Sequence, residues 1–256
     1  MRERAGKRRV HETAIAIVAA PPATTAVTVP TRAATTPRAP ATNRSRGSSG
    51  RQARKVVAMG NVDRSTIWPY DELGEPREFY YQRNGDPTGA EAEALLGDLD
   101  KGTALLFPSG AGATAALALA ILKPGDTIAL AAGCYYGTGK TFEALAPWGL
   151  NYVEYDQTGP PPDGVQLIWT EAPSNPYLTM PDLVAAVAHP APLVVDATVA
   201  TPILLRPLEH GADFVVHSAT KYLAGHDDAM LGAVVCRDPK AADTLRTLRT
   251  LSLIHI

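Results

Sequence analysis

The chain has 256 residues, 45% of them hydrophobic and 20% charged, a globular balance rather than that of a disordered or membrane-embedded protein. No run approaches the ~18 unbroken apolar residues of a membrane span, and Cys134 and Cys236, far apart and without metal-ligand spacing, exclude a disulfide framework or cysteine-based zinc site and suit a reducing, cytoplasmic setting. The net charge of −2, which by itself predicts no nucleic-acid binding, averages two unlike pieces: residues 1–58 carry 12 Lys and Arg against Glu3 and Glu12, net +10, and residues 59–256 carry net −12.

The first piece is rich in Ala, Thr, Pro and Arg and holds no sustained helical or strand period. It has little to bury, which predicts a disordered low-complexity leader, or upstream DNA translated ahead of a true start at Met59. AIAIVAA after KRRV resembles a short signal core, but the run is brief and Pro21 and Pro22 follow at once. No aromatic side chains interleave with the arginines, which argues against a nucleic-acid-binding arm.

From Met59 short apolar runs alternate with longer amphipathic segments. In chain order GAEAEALLGDL reads as a helix, TALLF as a strand, GATAALALAIL as a helix, DTIAL as a strand, TFEALAPWG as a helix, then NYVEY and VQLIWT as strands. MPDLVAAVA reads as a helix, PLVVD, DFVVHS and GAVVC as strands, and AADTLRTLRT is helix-like. Continuous apolar strands separated by helices predict an α/β domain over 59–250, its mostly parallel sheet covered on both faces and its ligands at the carboxyl ends of the strands. The last six residues read LSLIHI. A coding sequence for them, CTGTCTCTTATACACATC, looks like the transposon end used in preparing DNA libraries, so 251–256 is expected to be a non-native tail on a natural chain that continued.

Three glycine-rich segments mimic nucleotide sites. GTGKT at Gly137–Thr141 suggests a Walker-type phosphate loop, but Cys134 stands where that motif needs its first glycine. SGAGATA supplies Gly110, Gly112 and Ala115, close to a dinucleotide turn, yet no acidic residue ends a second strand at the right distance. Either way, small residues entering a helix offer backbone amides to a phosphate.

The strongest constellation lies between Pro192 and His226. An apolar strand ends in Asp196, and a second leads into Ser218-Ala219-Thr220-Lys221. A lysine at a strand end can form a Schiff base with an aldehyde while neighbouring hydroxyls bind a phosphate, and a carboxylate can keep a pyridine nitrogen protonated. Pyridoxal 5'-phosphate needs all three. His210, His217 and His226 do not form a metal-ligand set, so no metal is expected; His217 reads as a packed strand-end residue, and Trp68, Trp148 and Trp169 as core or turn residues.

Asp196, Ala200-Thr201-Pro202, His217 to Tyr222 and Gly225-His226 stand in the order of the Cys/Met metabolism family of pyridoxal-phosphate enzymes, the trans-sulfuration enzymes of the aspartate aminotransferase fold type, which the chain resembles over about 160 residues. YQRNGDPT is similar to the family's Tyr-x-Arg and Asn-Pro-Thr, with Asp86 in place of Asn. The resemblance implies that Tyr81 and Arg83 reach the cofactor phosphate of a neighbouring subunit in a homodimer or homotetramer. It further implies that Ser109, Gly110 and Ala111 offer amides to the same phosphate beside Ser218 and Thr220. Tyr135 would lie over the ring, in a turn where Tyr136 replaces a glycine. Asn175 would bond the phenolic oxygen, with Glu171 structural beside it, and Asp196 would hold the ring nitrogen.

On this resemblance Lys221 binds the cofactor and, once displaced by an amino acid substrate, removes the α proton. Elimination or replacement at the β or γ carbon of cystathionine or O-acylhomoserine-type substrates would follow. The family's small C-terminal domain, with its substrate-carboxylate arginine, lies past the end of this sequence, which predicts an incomplete active site. The competing readings are an inactive fragment serving at most as a cofactor-binding or interaction module, and an NTP- or dinucleotide-binding protein using Gly110 or Lys140.

Overall fold

A computed structural model describes residues 62–251; the leader expected at 1–58 and the tail past Leu251 lie outside the described residues. Seven strands form one sheet: β1 Thr103–Phe107, β2 Thr127–Ala131, β3 Asn151–Tyr155, β4 Leu167–Glu171, β5 Leu193–Asp196, β6 Phe214–His217 and β7 Gly232–Cys236. All seven coincide with apolar runs read from the sequence. Six helices accompany them: α1 Pro87–Asp100, α2 Gly110–Ile121, α3 Tyr136–Leu145, α4 Leu183–Ala188, α5 Thr201–Leu204 and α6 Pro239–Thr250.

Helix starts follow local chemistry. Asp86 caps α1, accepting from the Gly89 amide at 2.8 Å, with Pro87 at the first helical position. The acid that replaces the family's asparagine thus does an N-cap's work. Asp182 and Asp238 cap α4 and α6 in the same way.

The strand order is β1-β7-β6-β5-β4-β2-β3. β6, β5, β4, β2 and β3 are mutually parallel, but β7 is antiparallel to both β1 and β6. The sheet is thus mostly parallel, as expected, with β7 the one strand that runs against the rest. No helix separates β6 from β7, and without a helical crossover a chain returns antiparallel.

Side chains alternate across the sheet. Leu105, Phe107, Leu130, Trp169, Val194, Val216 and Val234 share one core with α2, α3 and α6, while Ala104, Ile168, Val195, Val215 and Val235 share the other with α1 and α4. Both faces are covered, which explains why the buried strands read as apolar runs; β3, at the edge, is largely exposed. Trp169 is fully buried, with Phe142 edge-on at 5.3 Å, and Trp148 is exposed in a turn after α3.

Candidate active site

Three segments converge at the carboxyl end of the sheet. After β1, Ser109 caps α2, its hydroxyl accepting from the Gly112 amide at 3.0 Å. A Cβ on Gly110 would stand 2.8 Å from the Cβ of Ser218, so the start of α2 lies directly against the residue after β6, an approach that glycine permits. After β5, Asp196 Oδ1 accepts from the Thr198 amide at 2.9 Å and the Thr198 hydroxyl at 2.5 Å. Thr198 Oγ1 accepts in turn from the Ser218 amide at 2.8 Å. Asp196, Ser109, Gly110 and Ser218 are thereby brought together, with Ala111 exposed in the first turn of α2.

Lys221 lies three residues further, in a turn where its amide donates to the Ser218 carbonyl at 3.0 Å and its own carbonyl accepts from Gly225 at 2.8 Å. Its side chain is exposed. Thr220 behaves differently from Ser218. Its hydroxyl donates to the Leu231 carbonyl at 3.1 Å and accepts from the Leu231 amide at 2.9 Å, which commits its one proton to pinning the turn.

A second cluster sits at the end of β4. Glu171 is buried, and its Oε2 accepts from the Tyr135 amide at 2.6 Å. Burial and then the charge of Asp196 push the Glu171 carboxyl up to about 7, against the pull of the Tyr135 and Asn175 amides. Burial likewise raises Asp196, while its bonds from Thr198 and the nearby His217 draw it down. Cys134, half-buried, is pushed up to about 12 by burial and by Glu171, Asp196 and Glu154, so it is not a thiolate nucleophile at neutral pH. Asn175 is exposed in the loop that follows β4.

Tyr135 precedes α3, its ring centroid 4.9 Å from that of Tyr136 at a 59° tilt. Burial first, then Tyr136, raises the Tyr135 phenol. Tyr136, where the family's glycine was expected, is the first residue of α3 and is 75% exposed; its side chain is in solvent. GTGKT falls within α3, and Lys140 there pairs with Glu143 at 2.7 Å, so these residues form a helix rather than a phosphate loop.

Tyr81 and Arg83 are on another segment. Tyr81 forms an isolated antiparallel bridge with Ile67, and Arg83 lies over the Tyr81 ring at 5.1 Å and donates to the Thr250 carbonyl at 3.2 Å. Among the described residues no hydrogen bond joins them to Ser218 or Lys221.

Sequence reasoning missed three residues. Thr198 was signalled by the Asp-x-Thr spacing, in which an acid reaches the amide two residues on. Gln157 and Asp100 gave no such signal. Asp100, the last residue of α1, and His217 are both fully buried, with Oδ2 and Nε2 2.8 Å apart. Among the described residues no group of three or more His, Cys, Asp or Glu converges to hold a metal.

The profile of the Cys/Met metabolism PLP-dependent enzyme family matches residues 46–252. The chain belongs to that family. It is 34% identical over 194 residues to cystathionine gamma-synthase of Escherichia coli, covering 71% of this chain and 50% of that protein. It is 35% identical over 200 residues to cystathionine beta-lyase of Lactococcus lactis, covering 73% and 52%. The fold superposes, with a TM-score of 0.70 and 35% identity, on cystathionine gamma synthase from Xanthomonas oryzae pv. oryzae in complex with aminoacrylate and cysteine, covering 74% of this chain and 52% of that one. The chain spans about half the length of the curated relatives it matches.

Pyridoxal phosphate is the family's cofactor, and the donor set of this chain fits it. Small residues open α2 against a serine hydroxyl, as a phosphate requires. A half-buried carboxyl, held by the Thr198 amide and hydroxyl, stands one strand away at Asp196. Among the described residues no helix is long and apolar enough to cross a membrane.

Proposed function

We propose that residues 59–250 form the cofactor-binding domain of a cytoplasmic trans-sulfuration enzyme, acting by β or γ elimination or replacement on cystathionine or O-acylhomoserine-type amino acids. The observation that carries this reading is the hydrogen-bonded run from Asp196 through Thr198 to the Ser218 amide, with Gly110 packed against Ser218. It gathers a carboxylate, a hydroxyl and a helix start beside the turn that holds Lys221.

Pyridoxal phosphate, when bound, supplies an electron sink for negative charge at the substrate's α carbon. The chain's own groups do the rest. The amides opening α2 at Gly110 and Ala111, with the Ser109 and Ser218 hydroxyls, would bind the phosphate. Asp196 would hold a proton at the pyridine nitrogen, and a cation there offsets the burial that raises this carboxyl. Tyr135 would cover the ring, Asn175 would donate to its phenolic oxygen, and Lys221 Nζ would hold the cofactor and move the α proton. Thr220 contributes by fixing the turn. Tyr81 and Arg83, which among the described residues make no hydrogen bond to Ser218 or Lys221, suit the role the resemblance gives them, in which a neighbouring copy in a homodimer or homotetramer supplies them to the phosphate.

The reading is tested by mixing the purified chain with pyridoxal phosphate and following its absorbance. Lys221→Ala is expected to abolish the shift that an amine bond produces, while Lys140→Ala retains it. A full shift in Lys221→Ala overturns the assignment.

A further inference from the structure

Gln157 follows β3 by two residues and is 2% exposed, an unusual burial for a carboxamide. Its Oε1 accepts from the Glu171 amide at 3.1 Å, and its Nε2 donates to the Glu171 carbonyl at 3.0 Å and to the Thr179 carbonyl at 2.9 Å. Both side-chain protons and the carbonyl oxygen are therefore used. The pairing of β4 with β2 reaches only as far as Leu130 and Trp169. Beyond it the Gln157 side chain meets the free edge of Glu171 as a peptide group of a neighbouring strand would. The Gln157 main-chain carbonyl also accepts from the Asp182 amide at 2.7 Å, so one residue grips both ends of the loop that carries Asn175.

The other side of this joint is Glu171 itself, whose carboxylate takes the Tyr135 amide. We propose that Gln157 is a positioning residue that sets Tyr135 and Asn175 together, acting through the backbone of Glu171 and the carbonyl of Thr179. That Tyr135 and Asn175 face the cofactor rests on the function proposed above; the coupling of their two loops through Gln157 does not. Both bonds to Glu171 are buried and the one to Thr179 is part-buried, so losing the carboxamide leaves the Glu171 amide and two carbonyls without partners at once.

Two measurements test the proposal. In the cofactor-free chain, Gln157→Met is expected to speed amide hydrogen exchange at Tyr135, Glu171 and Thr179 by about tenfold or more, leaving the Ala242 and Leu245 amides of α6 unchanged. Unchanged exchange at those three sites, or equal acceleration in α6, overturns it. Titration with pyridoxal phosphate gives the second arm. Gln157→Met and Asn175→Ala should each weaken binding about tenfold or more, and adding Asn175→Ala to Gln157→Met should weaken it little further, because the first change already misplaces Asn175. A double variant weakened about a hundredfold, the additive result, overturns the coupling. If the unaltered chain fails to bind pyridoxal phosphate, the proposed function falls and the exchange measurement still decides the role of Gln157. Gln157→Asn, one methylene shorter, carries the same tests should Gln157→Met not accumulate as folded protein.

Discussion

The two ends of strands β5 and β6 are built on opposite principles. At their amino ends lies a cavity of about 310 Å³, lined by His189, Leu193, Asp213 and Arg237 among others. Its acid is fully answered: Asp213 accepts from the Arg237 guanidinium and from the Leu193 amide. At their carboxyl ends the charge of Asp196 adds to burial in raising the Glu171 carboxyl, and Asp196 itself is held by Thr198 and drawn down by the nearby His217. One end pairs its acid with a guanidinium, and the other sets two carboxyls beside each other. A cavity records where packing left room, whereas an acid raised by burial and by a neighbouring carboxylate records where a proton or cation is to be held. The family membership and the ordered motif both fall at the second end.

The comparison is broken most severely by adding another unanswered group at the carboxyl end. Asp100→Ala strips the fully buried His217 of its partner, and a buried hydrogen-bonding group left without one costs about 1–3 kcal/mol, more where a charge is left. Urea unfolding should show that loss; a change within about 0.5 kcal/mol, the range of ordinary surface substitutions, would mean that the pair contributes nothing.

Removing an unanswered group gives the next effect. An unfolded Glu171 titrates at the ordinary glutamate value of 4.5 and the folded one at about 7. Between those values the folded chain keeps a proton that the unfolded chain has released. Stability from this group is therefore full below 4.5 and is lost as pH rises through 7, by an amount on the order of 3 kcal/mol. Glu171→Gln, which keeps an acceptor for the Tyr135 amide, should flatten that dependence in thermal unfolding between pH 5 and pH 8. An unchanged slope would assign it to other groups.

The smallest effect contrasts the two ends directly. Asp196→Asn is expected to weaken pyridoxal phosphate binding about tenfold or more, the worth of a charge-assisted hydrogen bond. Asp213→Asn should alter it less than about twofold, since the half-exposed Arg237 pair contributes little beyond its own surroundings. Equal losses in an absorbance titration would erase the distinction between the ends.

Much of this was legible before any coordinates. Six strands were readable because a sheet covered on both faces needs apolar residues on both sides of its buried strands, so TALLF or LIWTE announces itself, and the exposed edge strand NYVEY by its aromatic and β-branched residues. Asp196, Ser218 and Lys221 were readable because they follow strand ends in one stretch of chain. What escaped depends on tertiary contact. α5 spans four residues, too few for a period. Gln157 and Asp100 look like surface residues until distant segments cover them. The commitment of the Thr220 hydroxyl followed from the antiparallel course of β7, which strand-and-helix alternation did not indicate. Tyr81 and Arg83 were assigned only through family resemblance, and the single chain directs Arg83 to the end of α6.

That antiparallel strand has a further consequence. Because β7 starts where β6 ends, the lysine turn is a closed loop, its two stems joined by the bonds between Thr220 and Leu231. Loop-closure entropy grows only with the logarithm of length, so doubling the stretch between those stems costs only about 0.6 kcal/mol. The anchor is fixed on its amino side by Ser218 and Thr220 while the segment after it is free to lengthen. One fold can thus vary what stands beside Lys221 without disturbing where the lysine begins.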